Sequence, residues 1–144
     1  MAKAKSRTIQ KTELKYPDRF NVIILNAGIA ISHPIEKTSE NWFEIWKKTM
    51  AVNLDAAGLL TKLGIEHFKV QQGGRFIYIG SRAAFRGETE DFLAYAASKG
   101  GLTSLARSVA RSFGKENIKS FVIAPGFTQT QMTDAFIEKY GKER

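Results

Sequence analysis

Three short apolar runs, residues 21–25, 75–79 and 120–124, are separated by two long stretches of helical periodicity. That alternation leaves little choice of fold. Parallel strands need a crossover of a dozen or more residues between them, and the crossover is usually a helix. The runs read Asn-Val-Ile-Ile-Leu, Arg-Phe-Ile-Tyr-Ile and Ser-Phe-Val-Ile-Ala. They are rich in β-branched and aromatic residues, and turn residues bound them. Such runs suit strands covered on both faces of a sheet. Crossovers of this kind are right-handed almost without exception. The expectation is an α/β fold of order βαβαβ, half of a doubly wound parallel sheet, with about three strands and flanking helices.

The first crossover is expected to start as a helix at Thr38 or Ser39, both good caps, with Glu40 in the first turn. Trp42, Ile45, Trp46, Thr49 and Met50 form one stripe at helical spacing, which reads as core packing. Leu59, Leu60, Leu63 and Phe68 supply the apolar side further on. Roughly thirty residues is long for a single globular helix, so a break near Asn53 is expected. Residues 82–91 read as a charged loop. The second crossover helix covers about 95–114, with Leu102, Leu105, Ala106, Val109 and Phe113 inward. After Pro125-Gly126, a short helix is expected over 134–140. Residues 1–20 form a basic N-terminal tail with a turn at Tyr16-Pro17-Asp18, and residues 21–144 form the folded unit.

Composition excludes several functions. The chain has no cysteine and only two histidines, His33 and His67, so neither a disulfide framework nor a zinc site is expected. No apolar run approaches the roughly 20 residues needed to span a membrane, and no secretory signal is recognisable. A cytoplasmic protein without membrane contact is the expectation. A net charge of +8 raises nucleic acid as a partner, but residues 1–20 hold half of that excess. The charge therefore reads as a solvated tail, and no nucleic-acid partner is expected.

In parallel α/β sheets, ligands bind beyond the carboxyl ends of the strands. Asn26-Ala27-Gly28, Ser81 and Pro125-Gly126 all fall there. Tyr95 and Lys99, four residues apart, share one helix face. A free tyrosine has a pKa near 10, and a cation one turn away favours phenolate. Such a pair suits proton exchange with an alcohol or a carbonyl, with a serine hydroxyl to hold the oxygen. The hydride must come from a cofactor, since no side chain carries one.

Over residues 21–133 these pieces together resemble the short-chain dehydrogenase/reductase family. Asn26-Ala27-Gly28 matches the last three residues of its Asn-Asn-Ala-Gly motif, with Leu25 in place of the first Asn. Val52-Asn53-Leu54 with Gly58 matches the helix segment that holds its asparagine, and Pro125-Gly126 with Thr130 and Met132 matches its Pro-Gly-x-x-x-Thr segment. The resemblance implies a partial Rossmann-like fold and a catalytic tetrad of Asn53, Ser81, Tyr95 and Lys99. Tyr95 would be the general acid/base, and Lys99 its modulator and a ribose ligand. Ser81 would orient the carbonyl, and Asn53 would bind a relay water. NAD or NADP would lie against Asn26, Ala27, Gly28, Tyr95, Lys99, Pro125, Gly126 and Thr130. A small carbonyl or alcohol substrate and a homo-oligomer through the two long helices are also implied. The run Gly80-Ser-Arg-Ala-Ala-Phe-Arg-Gly87 resembles members named 3-oxoacyl-[acyl-carrier-protein] reductases.

One departure bears on all of this. Family members open with a strand and a Thr-Gly-x-x-x-Gly-x-Gly loop that holds the cofactor pyrophosphate. The first glycine in these 144 residues is Gly28, which already belongs to the later motif. Cofactor binding is therefore expected to be weak or absent. Two readings follow: an oxidoreductase of this type, or a truncated, inactive relative that serves as an interaction or dimerisation module.

Overall fold

The computed structural model describes residues 19–126. Three parallel strands, β1 (Val22–Leu25), β2 (Gly74–Ile79) and β3 (Ile118–Ile123), form one sheet in the order β1-β2-β3. The register pairs Ile23 with Phe76 and Tyr78 with Val122. The expected α/β, partial Rossmann-like architecture is what the chain adopts. The expectations for residues 1–18, for Thr130 and for a helix over 134–140 lie outside the described residues.

Thr38 caps α1 (Ser39–Met50) as its sequence predicts, its hydroxyl accepting from the Asn41 N–H at 3.4 Å. The break near Asn53 is a π-helical segment, Ala51–Asp55, after which α2 (Ala56–Val70) continues. A π turn widens a helix locally and is frequent at functional sites. The loop expected over 82–91 contains the short helix α3 (Ala83–Arg86) and a 3-10 turn, Glu90–Phe92. The second long helix, α4, spans Leu93–Phe113.

Because the strands follow one another in order, two right-handed crossovers place their helices on the same face. Burial agrees with this. Leu25, Phe76, Tyr78 and Ile118 face the helices and are buried, whereas the alternate residues Val22, Ile24, Phe121 and Ile123 are 42–60% exposed. Strands covered on both faces were the expectation, so this is a correction: among the described residues only one face carries a helical layer. A continuous apolar run cannot reveal whether a second layer follows.

The buried face of α2 also differs from expectation. Leu59, Leu60 and Leu63 point outward, while Ala57, Thr61, Gly64 and Phe68 are buried. Close packing decides it. A Cβ on Gly64 would lie 2.4 Å from Ile23 Cδ1 and 2.7 Å from the Phe76 ring, so only a hydrogen fits between helix and sheet. Leucine's larger bulk is excluded there by the same contact. Thr61 and the buried Tyr78 satisfy each other through a 2.9 Å hydrogen bond. Trp42 and Trp46 stack on each other, centroids 5.3 Å apart, and are half-buried rather than central to the core.

Candidate active site

The π segment places Asn53 inside the fold, 1% exposed, facing both the loop after β1 and helix α4. Its amide is used at both ends. The Ile29 N–H donates to Oδ1 at 2.8 Å, and Nδ2 donates to the Ile29 carbonyl at 2.9 Å and to Ser98 Oγ at 2.9 Å. The Ser98 hydroxyl in turn donates a hydrogen bond to the Tyr95 carbonyl at 2.8 Å. Asn53 therefore fixes the loop that carries Asn26-Ala27-Gly28 and, through Ser98, the helix turn that carries Tyr95 and Lys99. Nothing in the residue spacing singled out Ser98. Its position three residues after the tyrosine, on the same helix face, was the available signal.

Lys99 is 4% exposed. Its Nζ donates to the Ile79 carbonyl at 2.8 Å and lies 5.8 Å from the centre of the Tyr95 ring, within cation–π range. Gly28 closes the other side: a Cβ there would meet Lys99 Nζ at 3.2 Å and Asn53 Oδ1 at 3.6 Å. A side chain at position 28 would crowd the ammonium, which gives the glycine of the Asn-Ala-Gly run a physical reason.

Burial pushes the Lys99 pKa below its ordinary value of 10.5, because the ammonium loses hydration. The native state then releases this proton at lower pH than the unfolded chain does. Between the lowered value and 10.5 the unfolded chain holds more protons, so stability rises with pH across that window. Urea unfolding between pH 7 and 10.5 is expected to show the rise, and Lys99→Met is expected to flatten it. An equal slope in both proteins would assign the rise to other groups.

Ser81 sits two residues beyond Ile79. Its hydroxyl accepts from the Ala83 N–H at 3.1 Å at the entry of α3, which packs on α4. The Gly80 N–H donates to the Ile123 carbonyl at 2.8 Å. That bond brings the end of β2 beside the end of β3, and so Ser81 toward the segment of Pro125 and Gly126. Tyr95 is half-buried, and its hydroxyl makes no hydrogen bond among the described residues. Asn26 and Ala27 are exposed at the exit of β1. The structure thus joins Asn53, Gly28, Tyr95 and Lys99 in one cluster and leaves Ser81, Pro125 and Gly126 at neighbouring strand ends.

His33 belongs to the same construction although its sequence context gave no sign of it. It is fully buried, and its Nε2 accepts from the Ala94 N–H at 3.2 Å. Phe92, at the cap position of α4, offers no side-chain cap, so the histidine supplies one from the loop after β1. Its Nδ1 lies 3.2 Å from the Ile31 carbonyl, which fits a proton on Nδ1. Among the described residues no group of His, Cys, Asp and Glu side chains is arranged to hold a metal ion. No described helix is long and apolar enough to cross a membrane.

Residues 2–141 match the family model described as short chain dehydrogenase. An oxidoreductase of uncharacterized activity from Thermotoga maritima is 34% identical over 131 residues, covering 91% of this chain and 50% of its own length. The 3-oxoacyl-[acyl-carrier-protein] reductase MabA of Mycobacterium bovis is 34% identical over 118 residues, covering 82% of this chain and 46% of its own. A solved structure from Beutenbergia cavernae, assigned as an NAD(P)-dependent gluconate 5-dehydrogenase and holding NADP at low occupancy, superposes with a TM-score of 0.74 at 31% identity. It is matched over 82% of this chain and 46% of its own. The chain spans about half the length of these curated relatives.

Proposed function

This chain belongs to the short chain dehydrogenase family, and on that premise we propose that it carries the catalytic part of an NAD(P)-dependent oxidoreductase that interconverts a carbonyl and an alcohol. The observation that carries the reading is the buried Lys99 ammonium, held between Gly28 and the end of β2, one helical turn from Tyr95. A buried cation beside a phenol is a costly arrangement, and proton transfer at the phenol oxygen gives it a use.

In this reading Tyr95 gives its phenolic proton to the carbonyl oxygen during reduction and takes it back during oxidation. Lys99 keeps positive charge near that oxygen and offers donors to ribose hydroxyls. Ser81 holds the carbonyl oxygen as charge builds on it. Asn53 locks the geometry, and a relay water would lie against its π turn. A nicotinamide dinucleotide, NAD or NADP, supplies or accepts the hydride when bound. In this reading its nicotinamide–ribose end would lie against Asn26-Ala27-Gly28, Lys99 and Pro125-Gly126 at the carboxyl ends of the strands; Thr130, which the family motif adds, lies outside the described residues. The names of the relatives place 3-oxoacyl thioesters and sugar acids among the substrate classes to screen first.

A glycine-rich phosphate loop is absent from these 144 residues, so the pyrophosphate lacks its usual backbone N–H donors. The purified chain is expected to bind NADH and NADPH only in the millimolar range or weaker. Fluorescence titration checks this, with Trp42 and Trp46 and the cofactor itself as signals. Submicromolar binding would mean that another phosphate site operates. No binding by a folded chain would favour the second reading, an interaction or dimerisation module. That reading has its own support: Leu59, Leu60 and Leu63 on α2 are 61%, 50% and 49% exposed, an apolar strip suited to a second copy. The mass in solution, measured in parallel, tests it.

A further inference from the structure

A basic cleft lies at the amino ends of the strands, on the opposite end of the sheet from Tyr95 and Lys99. It has a volume of about 220 Å³, and Arg19, Asn21, Gln71, Arg75, Asn117 and Lys119 are among its walls. Among the described residues no wall residue is acidic. The β2–β3 register puts Arg75 directly opposite Lys119, so both side chains leave the sheet on the same face. Like charges directly opposite across neighbouring strands destabilise a sheet. Arg19 adds a third cation, its guanidinium donating to the Gln71 carbonyl at 3.2 Å. Among the described residues none of the three forms a salt bridge, whereas Lys62, Lys69 and Arg86 each have a carboxylate partner. Three cations thus line one small concave space with no described residue of opposite sign in its wall.

We propose that this cleft is an anion site for a single phosphoryl group, either inorganic phosphate or the phosphate of a small monoester. A shared oxyanion between Arg75 and Lys119 turns their mutual repulsion into two charge-assisted hydrogen bonds, and Arg19 offers a third donor set. The cleft is smaller than the roughly 300–1,000 Å³ of sites for drug-sized ligands, which suits one phosphoryl group and not a whole dinucleotide. Its position at the amino ends also separates it from the carboxyl-end crevice where dinucleotides bind. The proposal is independent of the oxidoreductase reading.

Two measurements on the full chain test it. In the first, the ¹⁵N-labelled protein is titrated with inorganic phosphate and with glycerol 3-phosphate, against sodium chloride at matched ionic strength. Saturable shifts of the amides around residues 73–75 and 117–119 are expected with phosphate and not with chloride. Tighter binding of glycerol 3-phosphate than of phosphate would identify a monoester site; the reverse would identify an inorganic phosphate site. Arg75→Gln and Lys119→Gln are each expected to weaken binding at least tenfold. Shifts that chloride reproduces, or that both variants retain, would overturn the proposal. In the second, thermal unfolding is compared without and with phosphate. Lys119→Gln, an exposed position, is expected to unfold at a higher temperature than the wild type in phosphate-free buffer, because it removes the repulsion from Arg75. Phosphate is expected to raise the wild-type midpoint and leave that of the variant unmoved. A wild type that phosphate does not stabilise contradicts the site by this second route.

Discussion

Tyr95→Phe is expected to lower turnover by about 10²–10⁴-fold in any preparation that reduces a carbonyl, the range that positioned acid–base groups supply. The ring stays and the proton goes. The Tyr95 ring is half-buried over Lys99 Nζ, and phenylalanine preserves that contact and the helix backbone that Ser98 holds. The hydroxyl has no hydrogen-bond partner among the described residues, so its removal strands no buried group. Stability is therefore expected to change by no more than about 0.5 kcal/mol. Steady-state kinetics together with a melting curve separate the two effects. A variant that keeps turnover rules out Tyr95 as the acid–base group, and one that loses turnover by unfolding says nothing about chemistry, which the melting curve reveals.

The largest effect on stability is expected at Phe76→Ala. Phe76 is fully buried at the centre of β2, with the Phe68 ring at 5.0 Å and the Tyr78 ring at 5.9 Å. Removing a core phenylalanine costs about 3–5 kcal/mol through lost transfer energy and the cavity left behind. That is a large share of the roughly 5–15 kcal/mol by which domains are stable. The midpoint of thermal unfolding is expected to fall by about 10 °C or more. Phe121→Ala on the neighbouring strand provides the contrast. Phe121 lies on the open face and is 52% exposed, so about half of its surface contributes and a loss near 1 kcal/mol is expected. Equal losses at both positions would show that something covers the open face in solution.

That contrast also marks where the sequence stops being informative. Residues 21–25 and 120–124 read as strands because their side chains are apolar on consecutive positions. The same pattern fits a sheet with one helical layer or with two. Only the strand order and the exposure of Val22, Ile24, Phe121 and Ile123 distinguish them. The leucines of α2 teach a similar lesson. Hydropathy ranks Leu59, Leu60 and Leu63 above Ala57, Thr61 and Gly64, yet the helix turns its small residues inward. Approach distance decides, since helix and sheet meet at Gly64 with no room for a larger side chain.

Local spacing determined the order of strands and helices along the chain, the cap at Thr38 and the shared face of Tyr95 and Lys99. Each depends on residues within a few positions of one another, where backbone geometry is fixed by period and by the hydrogen-bonding habits of side chains. The convergence of the site was decided by the tertiary structure. Asn53 reaches Ile29 across 24 residues and Ser98 across 45, and His33 caps the helix at Ala94 across 61. No periodicity encodes such contacts. They exist because parallel pairing of β1 with β2 and of β2 with β3 brings three strand ends and one helix start to the same edge of the sheet.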